Sequence, residues 1–257
     1  MDFPTETKIV KPKLFSIEWF VRKIFGKKIH YVLSTLQISL EGWYYSALTK
    51  QFRHSEIDFA PFGNYYEFGV GGGRALVFYL SALRAFCRDY DLDTKKFHAF
   101  AFDTFEGLPE IEDKIDEHTA WKKGWFAYSI EAIKEKLKER GFDQNEFKVK
   151  FTKGEFKNSL TSELREELKK FPPSIVTIDV DYYTSTKDVL DWLKPILQSG
   201  TLFYFDDIWA FHGNPDYGEI KAINEFNESG EGFFTPFPQL GMPGNIYIYS
   251  KKKFEYT

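Results

Sequence analysis

The chain alternates between short apolar runs and longer amphipathic runs, and this alternation constrains its fold more than any other feature. The short runs are rich in the aromatic and β-branched residues of β-strands, and they cover residues 65–68, 97–102, 147–151, 175–180 and 202–205. The longer runs repeat apolar residues at helical spacing, and they cover residues 73–90, 129–140, 159–170 and 185–197. This order favours a parallel sheet with helices on both faces. Two final aromatic runs, 233–237 and 245–249, predict antiparallel edge strands.

Composition excludes several classes of protein. The 257 residues include 34 basic and 38 acidic side chains, so the net charge of -4 gives no reason to expect a nucleic-acid partner. The single cysteine, Cys87, cannot form an internal disulfide, and the chain does not open on a signal-peptide pattern. We therefore expect a cytoplasmic protein. No apolar run reaches the ~18 residues of a transmembrane helix.

The opening segment differs from the rest of the chain. Its first 30 residues contain seven basic and three acidic side chains. Five apolar residues there share one face of an amphipathic helix, and they are Ile17, Phe20, Val21, Ile24 and Phe25. We expect an N-terminal helical extension over residues 1–60, packed on a domain over residues 61–257. Contact of the basic helix with an anionic membrane surface or with a partner is the alternative.

A glycine-rich turn follows the first predicted strand. Ligands of open α/β sheets bind at the carboxyl ends of the strands, and there the chain has Glu67 followed by Gly69, Gly71 and Gly73. Glycines let the backbone turn tightly and let a ligand approach the N-terminus of the next helix. Arg74 stands where the dinucleotide fingerprint has Gly or Ala, and the Walker motif is absent. The pattern favours S-adenosylmethionine, whose cationic groups Glu67 would attract; a turn without a ligand is the alternative.

The next two strand ends supply further candidates for the cofactor site. Asp103 ends the second strand, where a carboxylate accepts hydrogen bonds from ribose hydroxyls, and Thr104 follows it. An acid at a strand end is, alternatively, a turn-former. Gly154, Glu155 and Phe156 follow the third strand. We expect them to border the adenine, because an acid accepts from the exocyclic amine and an aromatic ring stacks on the base.

Five segments together resemble a known family. In order, they are EFGVGGG, FDTFEGLPE, KGEFKNSL, IDVDYYTSTKDVL and FYFDDI. They resemble the macrocin and mycinamicin (TylF-like) sugar O-methyltransferases, a branch of the class I S-adenosylmethionine-dependent methyltransferases, over about residues 64–250. The resemblance implies a doubly wound, Rossmann-like α/β fold whose seven-stranded, mostly parallel sheet has an antiparallel last strand. It also implies a magnesium ion and methylation of sugar hydroxyls.

Acidic residues follow the fourth and fifth strands. They are Asp179, Asp181, Asp206 and Asp207. Carboxylates that meet at an open site suit a hard divalent cation such as Mg²⁺; the alternative is that they cap helices. The resemblance implies that Asp181, Asp206 and Asp207 bind the metal, and we assign Asp179 to the cofactor site.

Methyl transfer from a sulfonium requires a hydroxyl that loses its proton. A bound cation lowers the pKa of that hydroxyl and fixes its oxygen. We expect Asp181 to accept the proton, with His212 as the alternative base because histidine titrates near neutrality; His118 is a weaker candidate. We expect Ser185 to cap the following helix.

The expected function is therefore a magnesium-assisted, S-adenosylmethionine-dependent O-methyltransferase for a sugar, glycoside or related small molecule. A non-sugar acceptor such as a catechol and a catalytically silent binding module are the alternatives. Aromatic faces stack on sugar rings and flat aglycones, and the candidate walls of an acceptor site are Trp121, Trp125, Trp209, Tyr217 and Phe237. The same side chains would suit core contacts or a homo-oligomer interface, and the sequence does not identify the acceptor.

Overall fold

The structure is a computed structural model that describes residues 40–57, 61–143, 145–237 and 245–253. The amphipathic helix predicted within the first 30 residues lies outside these ranges. Within them, no helix is both long enough and apolar enough to cross a membrane.

The seven predicted strands are present. They are β1 (Asn64–Phe68), β2 (His98–Asp103), β3 (Lys148–Lys153), β4 (Ile175–Ile178), β5 (Leu202–Phe205), β6 (Gly232–Pro236) and β7 (Ile246–Lys251). They form one sheet in the order β3-β2-β1-β4-β5-β7-β6. Strands β1 to β5 are parallel, and β7 is antiparallel to both β5 and β6. The doubly wound, seven-stranded fold with an antiparallel last strand is confirmed.

Seven α-helices accompany the strands in the described ranges. They are α1 (Leu40–Ile57), α2 (Arg74–Asp89), α3 (Ile130–Glu139), α4 (Phe156–Ser159), α5 (Ser162–Leu168), α6 (Tyr183–Leu193) and α7 (Gly218–Glu228). Three differences from the sequence expectation stand out. The predicted helix over 159–170 is two short helices, and the helix expected at 185 begins two residues earlier. Of the two final strands only β6 lies at an edge of the sheet, because β7 lies between β5 and β6.

Alternate residues of the central strands pack into two separate cores, because successive side chains of a strand point to opposite faces. Tyr65 packs with α1, α2 and α3 on one face of the sheet, whereas Tyr66 packs with α6 and α7 on the other. Helix α1, the described part of the predicted extension, buries Trp43 and Tyr44 completely in the first core. It therefore shares a core with the sheet, and the domain boundary at residue 60 stays a prediction.

The strand register brings the carboxyl ends of four strands to one line. Phe68 of β1 pairs with Phe102 of β2 and Ile178 of β4, and Ile178 pairs in turn with Phe205 of β5. The ladder continues beyond these pairs, because the Asp179 N–H donates to the Phe68 carbonyl at 2.9 Å. The loops that follow these four strands must therefore lie side by side.

Candidate active site

An open cleft of about 2240 Å³ lies over these strand ends. Its volume exceeds the ~300–1,000 Å³ of a typical single-ligand site, so it has room for a cofactor and an acceptor together. Most of the predicted site residues line it, namely Glu67, Gly69, Gly71, Asp103, Thr104, Glu155, Phe156, Asp179, Asp181, Asp206 and Asp207. Gly73, Gly154 and His212 do not line it.

Glycine occupies the three alternating positions of the turn for different structural reasons. Gly69 has a φ of 78°, and an added Cβ would lie 1.7 Å from the carbonyl oxygen of Asp179, so only glycine fits between the ends of β1 and β4. Gly71 has a φ of 47° and an added Cβ would meet nothing within 4 Å, which leaves its backbone open to the cleft. Gly73 adopts φ 71° just before α2, where its Cβ would lie 3.0 Å from Ile133.

Asp103 organises the glycine turn. Its Oδ2 accepts hydrogen bonds from the backbone N–H of Val70 at 2.6 Å and of Gly71 at 3.0 Å. Its Oδ1 accepts from the Phe105 N–H at 2.7 Å, and the Thr104 hydroxyl lies 3.3 Å from the same oxygen. Three backbone donors thus hold the carboxylate. The contact within its own turn fits the turn-former alternative, whereas the contact with the turn after β1 was not indicated by the sequence; contact with the ribose stays a prediction.

Thr104 shapes the turn after β2. Its hydroxyl donates to the Gly107 carbonyl at 2.7 Å and accepts from the Glu106 N–H at 3.1 Å. Because both functions of the hydroxyl are occupied, Thr104 fixes the local backbone at the cleft edge.

The loop after β3 forms another part of the cleft wall. Gly154 donates its N–H to the Asp103 carbonyl at 2.9 Å, and an added Cβ would lie 2.9 Å from the Cβ of Ser159, so glycine is required there for packing. Phe156 is half-buried with its ring edge-on to Phe68, 6.0 Å between centroids. Glu155 precedes α4 and lies in the lining. The adenine assignment of these residues stays a prediction.

Glu67 is the most deeply buried acid of the predicted cofactor site, at 1% exposure. Tyr65 donates its hydroxyl to Oε2 at 2.8 Å, while Oε1 has no hydrogen-bond partner in the described part of the chain. The pKa of Glu67 is raised to about 8: burial is the largest cause, the charge of Asp103 adds to it, and the Tyr65 hydroxyl and the Leu76 N–H oppose it. Glu67 lines the cleft, and its buried, unpaired oxygen suits a ligand cation with N–H donors.

Carboxylates crowd together at the ends of β4 and β5. Asp181 has a φ of 61°, and its N–H donates to Oδ2 of Asp207 at 3.2 Å. Burial and then the charges of Asp207 and Asp206 raise the pKa of Asp181 to about 8. Burial and then Asp206 raise the pKa of Asp207 to about 7, and burial with the same neighbours raises that of Asp179 well above its usual range.

Glu219 is a buried acid behind this cluster that the sequence analysis missed. It is fully buried in the first turn of α7, and its Oε2 accepts the Asp207 N–H at 2.9 Å. Burial, followed by the charges of Asp207 and Asp179, raises its pKa well above the usual range. The available signal was its position: Glu219 shares one helix face with the buried Ala222, Ile223 and Phe226, where an apolar residue is the norm.

The donor set fits a divalent cation in its chemistry. The carboxylates of this cluster raise one another's pKa, so a bound cation would balance their negative charges. Carboxylate oxygens are also the ligands that Mg²⁺ prefers. Across the described residues, however, no group of three or more His, Cys, Asp or Glu side chains is already arranged to hold a metal ion. Binding of a cation by Asp181, Asp206 and Asp207 would therefore require side-chain rotation.

The expectation that Ser185 caps a helix was wrong. Helix α6 begins at Tyr183, which places Ser185 within its first turn. Asp116 takes the capping role instead, since it accepts hydrogen bonds from the N–H and the hydroxyl of Thr184. Tyr182 also donates its hydroxyl to the Pro109 carbonyl at 3.3 Å. The loop after β2 is thus tied to the start of α6, a long-range contact that sequence spacing did not indicate.

Neither candidate histidine lines the cleft that the carboxylates line. His212 is exposed, with a φ of 57° in a 3₁₀ turn, and it is outside the cleft lining. His118 packs its ring 4.5 Å from Trp121 and 5.0 Å from Phe211. Burial, with the charge of His212 as a second cause, lowers the pKa of His118. No observation here tests a catalytic role for His212, which stays a prediction.

Only part of the predicted aromatic wall faces the cleft. Trp121 and Trp125 line it, whereas Trp209, Tyr217 and Phe237 do not. Trp209 is instead 67% exposed. The loop after β2 therefore supplies aromatic side chains to the cleft lining.

The fold and the cleft together define a Rossmann-like methyltransferase architecture, with a glycine turn after β1, an acid after β2 and an antiparallel β7. The macrocin-O-methyltransferase (TylF) family model matches residues 49–230, so the chain belongs to that family. The resemblance seen in the sequence is confirmed.

Named relatives agree with this membership. The chain is 29% identical over 186 residues to the 8-demethyl-8-(2,3-dimethoxy-alpha-L-rhamnosyl)-tetracenomycin-C 4'-O-methyltransferase of Streptomyces olivaceus, a match that covers 65% of this chain and 64% of that protein. The match thus spans a little under two thirds of the relative's length.

Two solved structures share the fold. CalS11, a calicheamicin methyltransferase, has 23% identity and a TM-score of 0.57, with 80% of this chain and 77% of that chain covered. The O-methyltransferase NovP has 20% identity and a TM-score of 0.58, with 81% and 79% covered.

Proposed function

We propose that this protein transfers the methyl group of S-adenosylmethionine to a hydroxyl of a sugar or glycoside, with assistance from Mg²⁺. The observation that carries the proposal is the composition of one cleft. The glycine turn and Glu67, whose buried Oε1 is unpaired, contribute to one part of its lining, and the carboxylates after β4 and β5 contribute to another. A cationic methyl donor and a metal-assisted acceptor would thus meet in a single space.

The cofactor part of the cleft suits a zwitterionic sulfonium ligand. The open backbone at Gly71 admits the amino-acid end of the cofactor to the N-terminus of α2, where N–H groups attract a carboxylate. Oε1 of Glu67 would accept a hydrogen bond from its ammonium group. Asp103, Glu155 and Phe156 would hold the ribose and the adenine.

The acceptor part lies over the ends of β4 and β5. Asp181, Asp206 and Asp207 would hold the Mg²⁺ ion, which when bound lowers the pKa of the acceptor hydroxyl and fixes its oxygen. Asp181 lines the cleft, and the charges of Asp207, Asp206 and Asp103 all act on it. We assign it the proton of the hydroxyl, in preference to His212, because His212 lies outside the lining.

The reaction balances without a further reactant. The carbon–oxygen bond forms as the carbon–sulfur bond breaks, the electron pair of that bond stays on sulfur as S-adenosylhomocysteine, and the hydroxyl proton passes to Asp181. In-line attack requires the acceptor oxygen to lie about 3–3.5 Å from the methyl carbon. The cleft would therefore contribute to the rate enhancement mainly by holding the two reactants in that arrangement.

A sugar is the preferred acceptor class for two reasons. Trp125, which is 36% exposed and lines the cleft, offers a flat face that stacks on a sugar ring or an aglycone. The relative from Streptomyces olivaceus is named for methylation of a rhamnosyl group, and the TylF family is named for macrocin. No feature of the described cleft specifically favours a catechol.

Calorimetry and a methylation assay test the proposal. We expect the full chain to bind S-adenosylmethionine and to methylate members of a panel of rhamnosides and other glycosides, with turnover lost in EDTA and restored by Mg²⁺. Catechol serves as the non-sugar comparison. Absence of cofactor binding would remove the proposed activity, and full turnover in EDTA would remove the role of the metal while leaving methyl transfer in place.

A further inference from the structure

Helix α1 reaches the cofactor site through a chain of buried hydroxyl groups. Tyr44 of α1 has its hydroxyl 2.7 Å from Oγ1 of Thr177 on β4 and 3.1 Å from the hydroxyl of Tyr65 on β1. Tyr65 then donates to Oε2 of Glu67 at 2.8 Å. All four side chains are at most 1% exposed, so water does not compete for these bonds.

The number of protons fixes the direction of this chain when Glu67 is ionised. A carboxylate only accepts hydrogen bonds, so Tyr65 must donate its single O–H to Glu67. The contact between the two tyrosines then requires Tyr44 to donate to Tyr65, and Thr177 must donate to Tyr44. Every donor therefore points towards Glu67, and such aligned bonds polarise one another in a buried setting.

We propose that Tyr44 and Tyr65 are positioning residues for the cofactor, because their hydroxyl relay holds Glu67 as an ionised acceptor whose free Oε1 binds the ammonium group of S-adenosylmethionine. This inference rests on the proposed function of the cleft. It gives α1 a role in ligand binding, although Tyr44 precedes the segment 49–230 that matches the family.

The groups around Glu67 make the relay necessary. The pKa of Glu67 is raised to about 8, first by burial and then by the charge of Asp103. Asp179 at the end of β4 is a second acidic neighbour, as its interaction with Glu67 shows. Among the described residues, the Tyr65 hydroxyl and the Leu76 N–H at the start of α2 act in the opposite direction. Loss of the hydroxyl therefore favours the protonated acid, which cannot pair with an ammonium group.

The chain offers a matched control for the test. Tyr79 stacks on Tyr65 with 4.0 Å between ring centroids, and it is equally buried, but its hydroxyl has no hydrogen-bond partner among the residues described. Tyr79→Phe therefore deletes a buried hydroxyl beside the same ring without touching the relay. Tyr65→Phe removes the direct donor, and Tyr44→Phe removes the donor one step further away.

The experiment is calorimetric titration of the full-length variants with S-adenosylmethionine between pH 6 and pH 9. In the wild type we expect affinity to rise with pH, by at most about tenfold per unit, and to level off near the pKa of Glu67. Tyr65→Phe should bind about tenfold more weakly at pH 7, since a charge-assisted hydrogen bond is lost, and its affinity should level off at a higher pH. Tyr44→Phe should shift both quantities the same way by a smaller amount, and Tyr79→Phe should shift neither.

The outcomes separate the relay from the function. A purely structural role would lower the melting temperature of Tyr65→Phe but leave its pH profile at that of Tyr79→Phe, and this result would overturn the inference. If Tyr65→Phe does not fold, an unchanged profile in Tyr44→Phe overturns it equally. If the wild type itself binds no S-adenosylmethionine, the proposed function fails first and the relay loses its purpose with it.

Discussion

Replacement of Asp103 by asparagine separates an organising role for this residue from a ribose-binding role. In the wild type, Oδ2 accepts hydrogen bonds from two backbone N–H groups of the turn after β1, and Oδ1 accepts one from the turn after β2. Asparagine keeps one accepting oxygen and presents an NH₂ group in place of the other. At least one backbone N–H then faces another donor.

The magnitude follows from the one bond that must be lost, because an asparagine oxygen in the place of Oδ2 keeps the other two. A hydrogen bond to a charged group contributes ~1.5–3 kcal/mol, and Asp103 is only half-buried, so that solvent compensates part of the loss. We expect the free energy of unfolding to fall by about 1–3 kcal/mol in Asp103→Asn, without any cofactor present.

Urea unfolding followed by circular dichroism measures this change. Asp93→Asn is the matched control, because the exposed Asp93 accepts one hydrogen bond, from the Lys95 N–H at 2.9 Å, which an asparagine oxygen also makes. If Asp103→Asn and Asp93→Asn unfold at the same urea concentration, the turn does not depend on Asp103 and the reasoning fails.

Two further substitutions test the geometry of the site. Gly69→Ala should lower the free energy of unfolding by more than about 3 kcal/mol, because the added Cβ meets the Asp179 carbonyl. The control is Gly124→Ala, which has the same φ of 78° but lies in open space and should lower that free energy by about 1–2 kcal/mol. Equal melting temperatures of the two variants would contradict the close approach of the two strand ends. Thr184→Val breaks the hydroxyl contact with Asp116, which ties the loop after β2 to the start of α6. We expect a severalfold higher KM for the acceptor and an unchanged affinity for S-adenosylmethionine. The control is Thr235→Val at an exposed position, which should change neither quantity. A change in cofactor affinity alone would show that the loop after β2 serves the other ligand.

Much of the sheet and of its ligand edge followed from sequence. Strands buried on both faces read as continuous apolar runs, and the glycine turn and the strand-end acids then fall on one edge by topology alone. Helix ends were less predictable because they depend on tertiary partners. The start of α6 is set by Asp116, some 67 residues away in the chain, rather than by the local Ser185.

The contacts that the sequence did not indicate share one physical feature, which is a polar group paired with a partner distant in the chain. Glu219 contacts the Asp207 backbone, Asp103 contacts the turn after β1, and Tyr44 contacts β1 and β4. Each contact depends on three-dimensional packing. Helical periodicity marks Tyr44 only as an apolar-face residue, and its hydroxyl partners emerge only when α1 is placed on the sheet.

Methyl transfer by Asp181→Asn tests the central claim most directly. The control is Asp191→Asn, since the exposed Asp191 lies on α6 outside the cleft. With a glycoside that the wild type methylates, we expect kcat to fall by about 100-fold or more in Asp181→Asn, its affinity for S-adenosylmethionine to stay within about threefold of the wild type, and Asp191→Asn to match the wild type in both. Turnover of Asp181→Asn at the wild-type rate would contradict the assignment of the carboxylate cleft as the place where the methyl group is transferred.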